Sequence, residues 1–135
     1  MLTGRKLLLA DDSAAIRKVI ELTFSDEGME VITVADGRSA FEKMVQVVPD
    51  LVLADVYMPE VDGFSFLKNF KDLPDLVKNK SKIVVLTSSN SAKDRSQAFT
   101  FPNVIQFITK PLKQSDIEDL KKLINHSEFT GQANL

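Results

Sequence analysis

Five short apolar runs recur along the chain, and polar or charged residues follow each of them. A short apolar run of this kind is typical of a strand that is buried on both faces of a sheet. β-Branched residues, which favour strands, are frequent in the second run. The pattern therefore predicts five strands, at residues 6–10, 30–35, 51–55, 82–87 and 104–108.

Between these runs, apolar residues recur at spacings of three and four, which is the period of one helix face. Such stripes cover residues 16–24, 41–48, 64–70 and 117–124, and a weaker stripe covers 91–99. Ser13 is a candidate cap for the first helix. We expect Gly28 and Pro49 to end the first two helices, and Asp36-Gly37 to form a turn. The lysine-rich stretch 72–81 is interpreted as a loop with a short helical extension.

Strands and helices alternate along the whole predicted pattern. Five strands that alternate with five helices predict an α/β domain with a doubly wound parallel sheet and helices on both faces. Right-handed crossovers then bring the carboxyl ends of all strands to one edge of the sheet. We expect residues 1–126 to form this one domain and residues 127–135 to be a C-terminal tail.

Composition excludes several classes of protein. The chain has 135 residues, with 17 basic and 19 acidic side chains and a formal net charge of −2. This balance does not indicate a nucleic-acid-binding surface, which needs clustered basic residues. The chain has no cysteine, which excludes disulfides and thiolate metal sites. No apolar run approaches the roughly 18 residues of a membrane span. We therefore expect a cytoplasmic protein that binds neither nucleic acid nor membrane directly.

Charged and hydroxyl side chains collect at the predicted strand ends. Asp11 and Asp12 follow the first strand, and Asp55 ends the third. Thr87 ends the fourth strand, and Lys110 follows the fifth. Ligands of open parallel sheets bind outside the carboxyl ends of the strands. We therefore expect three carboxylates, a hydroxyl and an ammonium to meet in one crevice.

Such a crevice needs added positive charge. Two unit charges about 4 Å apart repel by about 4 kcal/mol at an intermediate dielectric constant. Lys110 supplies one positive charge, and a site built from oxygen ligands without His or Cys suits Mg²⁺. With both present, the site is able to neutralise a phosphoryl group, and an aspartate is able to accept that group as an acyl phosphate. The Thr87 hydroxyl is a candidate donor to a phosphoryl oxygen.

These motifs give the chain a family resemblance. Over residues 6–125 the sequence resembles a response-regulator receiver domain, like the chemotaxis response regulator, of two-component phosphorelay systems. The resemblance rests on the order and spacing of Asp11-Asp12, Asp55, Met58-Pro59, Asp62-Gly63, Thr87 and Lys110-Pro111. It implies a flavodoxin-like (βα)5 fold with strand order 2-1-3-4-5. The family often has Gly-Ala before the fifth strand, whereas this chain reads Phe101-Pro102-Asn103.

The resemblance also implies roles for the crevice residues. Asp55 is expected to be the phosphorylated residue, with Lys110 paired to the phosphoryl group. Asp11, Asp12, Asp55 and the carbonyl of Tyr57 are expected to hold Mg²⁺.

A second set of implied roles concerns conformational change. Thr87, a catalytic residue by the resemblance, is also expected to form a switch pair with Phe107. In this family the threonine moves toward the phosphoryl group and the aromatic ring swings inward. The Lys110-Pro111 peptide bond is expected to be cis.

Partners and alternatives follow from the same resemblance. The phosphoryl donor is expected to be a histidine kinase or a phosphotransfer protein. The signal is expected to pass to an unidentified protein target. Phosphorylation-dependent formation of a homodimer is one expected outcome. One alternative is a receiver excised from a larger regulator or hybrid kinase. Another is a Mg²⁺-dependent aspartyl-phosphate phosphatase, although Tyr57 stands where such enzymes often have a second acid. A flavodoxin-like small-molecule binder is a third, although the chain has no Gly-rich phosphate loop.

Overall fold

The computed structural model describes residues 4–55, 72–87, 96, 99–101, 103–110 and 112–125. Within these ranges the chain forms one five-stranded sheet with strand order β2-β1-β3-β4-β5, and every pairing is parallel. The strands are β1 (Lys6–Ala10), β2 (Glu30–Val34), β3 (Leu51–Asp55), β4 (Lys82–Thr87) and β5 (Val104–Thr109). The predicted sheet and its strand order are confirmed.

Four helices lie within the described ranges. They are α1 (Ala14–Ser25), α2 (Gly37–Val47), α3 (Asp75–Lys80) and α4 (Gln114–Asn125). The short α3 is the helical extension expected in the stretch 72–81. The predicted helix at 64–70 lies outside the described residues, and most of the one at 91–99 does too. No helix in the described part of the chain has the length and apolar character of a membrane span.

The first helix begins at the predicted cap and ends earlier than expected. The Ser13 hydroxyl accepts the backbone N–H of Ile16 at 3.3 Å, which satisfies a free donor of the first turn. The helix ends at Ser25, and Gly28 lies in the turn that follows, at a φ of 90°. Gly28 therefore serves the turn into β2, where its lack of a Cβ permits that dihedral.

The second helix corrects the prediction of a turn at Asp36-Gly37. Asp36 is the N-cap of α2, since its carboxylate accepts the backbone N–H of Ser39 at 2.8 Å, and Gly37 is the first helical residue. At the other end, Val48 adopts a left-handed conformation with a φ of 50°. That conformation is uncommon for a β-branched residue. The N–H of Val48 still bonds to the carbonyl of Met44 at 2.9 Å, before Pro49 ends the helix as expected.

The core consists of two apolar layers, one on each face of the sheet. Leu7 and Leu9 of β1 point into a layer with the buried faces of α1 and α4. Leu8 and Ala10 point into the opposite layer, which includes residues of α2 and α3. This alternation follows from the two-residue period of a strand. Both faces of the sheet are therefore covered, as the continuous apolar runs predict.

β5 contains a bulge that changes which residues share a face. Ile83 of β4 pairs with Val104, whereas the next residue, Val84, pairs with Gln106. Ile105 is therefore the extra residue of the bulge. As a result, Val104 and Phe107 both pack in the layer with α2 and α3, although they are three residues apart.

Side chains also join the elements at the amino ends of the strands. The Asn103 side-chain amide donates to the carbonyls of Lys78 and Ser81, both at 2.8 Å, and so closes the carboxyl end of α3. The Ser81 hydroxyl donates to the carbonyl of Pro49 at 2.6 Å. The Asp50 carboxylate accepts the N–H of Lys6 at 2.8 Å. These contacts fix the amino ends of the strands whose carboxyl ends carry the candidate site.

Candidate functional site

Three carboxylates meet at the carboxyl edge of the sheet. Asp11 follows β1 directly, and Asp55 is the last residue of β3. One oxygen from each of Asp11, Asp12 and Asp55 lies within 4.8 Å of the other two. Asp11 and Asp55 are buried, with exposed fractions of 0% and 4%, whereas Asp12 is exposed. The structure thus brings together the three acids that the sequence predicted to converge.

Backbone contacts hold Asp11 in place. Its N–H donates to the carbonyl of Val34 at 3.1 Å, which ties it to the end of β2. Its Oδ1 accepts the N–H of Ser13 at 2.8 Å. Its carbonyl accepts a hydrogen bond from Nη1 of Arg17, also at 2.8 Å. The buried carboxylate is therefore fixed by the loop and by the first turns of α1.

Lys110 links two of the acids. Its Nζ lies 2.7 Å from Oδ2 of Asp11 and 3.0 Å from Oδ2 of Asp55. Its backbone N–H donates to the carbonyl of Thr87 at 2.7 Å, which holds the end of β5 against the end of β4. One ammonium thus offsets the repulsion between carboxylates that arrive from β1 and β3.

The electrostatics of this cluster follow from burial and pairing. Burial raises the pKa of Asp11 above its ordinary value, and its close contact with the positively charged Lys110 only partly opposes that shift. For Lys110, burial works against the charged form, but its close contacts with the carboxylates of Asp11 and Asp55 outweigh this effect and raise its pKa. The lysine is therefore held as an ammonium at neutral pH.

The residues present fit a divalent cation. Asp11 Oδ2 is buried, and among the described residues no donor reaches it in hydrogen-bond geometry, since the Lys110 contact is an ion pair without suitable angles. Three carboxylates and one ammonium leave two negative charges in the cluster. Asp12 adds an exposed carboxylate that is accessible from solvent. Mg²⁺ prefers carboxylate oxygens that leave room for water and phosphate oxygens, so this donor set suits it.

The two residues of the expected switch pair lie on neighbouring strands. Thr87 is the last residue of β4 and is fully buried. Phe107 of β5 pairs with Val85 in the register and has an exposed fraction of 4%. Its ring packs in the apolar layer with α2 and α3. Phe107 is therefore a core residue in this structure.

Some of the predicted features fall outside the described residues. The features outside the described ranges are Tyr57, Met58-Pro59, Asp62-Gly63 and Pro111 with its expected cis bond.

The contact of Arg17 with the Asp11 carbonyl was missed by sequence reasoning. Its signal was a basic residue one helical turn beyond the capping Ser13, on the helix that the acid pair introduces.

Comparison with known proteins places this geometry in a family. The family model described as the response regulator receiver domain matches residues 7–122. The chain is similar to the chemotaxis response regulator CheY4 of Vibrio cholerae, with a TM-score of 0.79 and 30% identity. That match covers 90% of this chain and 99% of the other.

Two curated relatives differ in how much of them the chain spans. A probable transcriptional regulator, ycf27, from Galdieria sulphuraria is 32% identical over 113 residues. The match covers 84% of this chain but only 42% of that protein. Protein PilG from Pseudomonas aeruginosa is 28% identical over 120 residues, and that match covers 84% of this chain and 82% of PilG. Similarity therefore extends both to longer regulators and to a protein of similar length.

Proposed function

The chain belongs to the family of response-regulator receiver domains of two-component signalling, and we propose that Asp55 is the residue that accepts the phosphoryl group. The donor is a phosphohistidine of a histidine kinase or of a phosphotransfer protein. The observation that supports this is the pairing of Lys110 with both Asp11 and Asp55 at the carboxyl edge of the sheet. This arrangement places a fixed positive charge beside the buried carboxylate that would react.

The transfer forms one bond and breaks another. An oxygen of Asp55 attacks the phosphorus, the P–N bond of the phosphohistidine breaks, and the imidazole leaves with the electron pair. Lys110 then pairs with the phosphoryl oxygens, and the Thr87 hydroxyl donates a hydrogen bond to one of them. Asp11, Asp12, Asp55 and the Tyr57 carbonyl would hold Mg²⁺, which neutralises phosphoryl charge when bound.

The signal is carried by the ends of β4 and β5. Thr87 and Lys110 are joined by a backbone hydrogen bond, so a movement of either residue also displaces the end of the neighbouring strand. The Phe107 ring is already buried in this structure. We therefore assign to phosphorylation the role of holding that ring inside, through Thr87, and of fixing the surface of β5 for a partner. This is a population shift in which one charged group biases a two-state element.

Acetyl phosphate with Mg²⁺ tests this assignment, because it replaces the protein donor. We expect mass spectrometry to find one phosphoryl group on the wild type and none on Asp55→Asn. Asp50→Asn is the matched control, since Asp50 is a buried acid at the opposite edge of the sheet. It should be labelled like the wild type if it folds, which its unfolding curve reports. Equal labelling of Asp55→Asn and wild type would overturn the proposal.

A further inference from the structure

Arg17 contacts the acid cluster through the backbone and not through a carboxylate. Its Nη1 lies 2.8 Å from the carbonyl oxygen of Asp11. Its own N–H bonds to the carbonyl of Ser13 at 3.1 Å within the first turns of α1. Helix side chains point toward the amino end of their helix, so a long side chain at this position reaches the loop before α1. The place of Arg17 in the first turns of α1 therefore explains why its side chain reaches the Asp11 carbonyl.

This hydrogen bond acts on the peptide group that joins two proposed ligands. The carbonyl of Asp11 belongs to the same planar unit as the N–H of Asp12. Holding that carbonyl fixes the plane, and with it the direction in which Asp12 leaves the loop. Asp11 itself is held further, because its carboxylate accepts the N–H of Ser13 and its own N–H donates to the carbonyl of Val34. Asp12 is exposed, so the peptide that precedes it has a large share in setting its position.

We propose that Arg17 is a positioning residue for divalent-cation binding, which orients Asp12 relative to Asp11 and Asp55 through the Asp11 carbonyl. The inference rests on the metal site of the proposed function and extends it to a residue outside the ligand set. Residues that orient metal ligands typically contribute 10- to 100-fold to metal affinity. Arg17 is such a residue, because its hydrogen bond to the Asp11 carbonyl orients the proposed ligand Asp12 without itself contacting the metal.

Charge and geometry predict opposite effects when Arg17 is replaced. A guanidinium at the Asp11 carbonyl adds positive charge near the cluster, and this charge weakens the attraction of the cluster for Mg²⁺. If Arg17 acted through charge alone, a neutral replacement would bind Mg²⁺ more tightly. If it acts by orienting Asp12, the same replacement binds Mg²⁺ more weakly. The sign of the change in affinity therefore separates the two accounts.

Isothermal titration with MgCl₂ measures the effect on the purified, unphosphorylated chain. We expect Arg17→Met to raise the Mg²⁺ Kd about 10-fold. Arg17→Lys keeps the charge and a donor, and should fall between Arg17→Met and wild type. Lys18→Met is the matched control, because Lys18 is an exposed neighbour on the same helix, and its Kd should be unchanged or slightly lower. Urea unfolding in EDTA shows that each variant is folded.

Each outcome has a defined meaning. An Arg17→Met Kd equal to or below that of wild type overturns the inference, as does an equal increase in Lys18→Met. If Arg17→Met does not fold, Arg17→Gln is compared with Lys18→Gln under the same criteria. A wild type that binds no Mg²⁺ overturns this inference together with the proposed metal site. Normal Mg²⁺ binding with no phosphorylation of Asp55 overturns the proposed function and leaves the role of Arg17 intact.

Discussion

Nζ of Lys110 lies 2.7 Å from Oδ2 of Asp11, a fully buried carboxylate on the far side of β3 from β5. The side chain reaches across the ends of β4 and β3 to make this contact, and it also meets Asp55 at 3.0 Å. Two buried acids thus share one ammonium. In the metal-free protein the stability of the carboxyl edge depends strongly on that single positive charge.

Replacing Lys110 is expected to destabilise the metal-free protein. Removal of one partner from a buried ion pair typically costs 3–5 kcal/mol, and we expect Lys110→Met to lose about 3 kcal/mol of unfolding free energy in EDTA. Mg²⁺ should restore more stability to this variant than to wild type, because it supplies the missing charge. Urea unfolding with and without MgCl₂ measures both effects. Lys113→Met is the control at an exposed lysine, and a loss there as large as in Lys110→Met would contradict the assignment.

The raised pKa of Lys110 gives this stabilisation a defined pH dependence. A lysine whose pKa is higher in the folded state than in the unfolded state stabilises the fold fully below its unfolded value, 10.5. The contribution is then lost as pH rises through the folded pKa. The stability difference between wild type and Lys110→Met should be constant from neutral pH toward 10.5 and shrink above it. A difference that does not change in alkaline solution would show that the ammonium is not its source.

The cap of α2 predicts a response at acid pH. The hydrogen bond from the N–H of Ser39 is the main cause that lowers the pKa of Asp36 below its ordinary value of 3.8. A lowered carboxyl pKa gives stability that is present above 3.8 and is lost as pH falls through the folded pKa. Asp36→Ala should therefore lower the urea midpoint at neutral pH, and less so in acid. Asp36→Asn keeps an acceptor for the cap and should resemble wild type at neutral pH.

Asn103 is expected to stabilise the fold through two carbonyls at the amino edge. Asn103→Ala leaves the carbonyls of Lys78 and Ser81 without this donor and should cost about 2 kcal/mol of unfolding free energy. Asn103→Asp should cost more, because a carboxylate oxygen then faces two carbonyl oxygens. Gln114→Ala is the control, since Gln114 makes an exposed side-chain bond to Glu118. If Asn103→Asp is no less stable than Asn103→Ala, the side chain does not act as a donor here.

Strand positions were predictable because each strand is a short apolar run, and β1, β3 and β4 are buried along nearly their whole length. β1, β3 and β4 begin and end at the predicted residues, and β2 and β5 differ by one residue at their ends. The meeting of Asp11, Asp12, Asp55 and Lys110 at one edge was predictable for a different reason, since parallel strands bring all their carboxyl ends to the same edge of the sheet. The acids therefore did not need to be close in sequence to be expected together.

Helix ends and side-chain contacts were less predictable. Gly28 was expected to end α1, but the helix ends at Ser25, because the intervening residues form a hydrogen-bonded turn. Asp36 carries no pattern that distinguishes a turn from a cap, since both use its carboxylate to accept a nearby N–H. The double hydrogen bond of Asn103 depends on where α3 ends in space, which spacing alone does not specify.

The bulge in β5 makes the chain unequally tolerant of lost residues. Ile105 has no partner of its own in the β4 register, because Val104 and Gln106 take the adjacent positions. Deletion of Ile105 removes that extra residue and leaves Phe107 opposite Val85, with Lys110 still at the crevice. Deletion of Ile108 would shift Lys110 by one position and turn its side chain to the other face. A deletion at the bulge is thus expected to keep Lys110 in the crevice, whereas a deletion beyond the bulge is expected to remove it from the crevice.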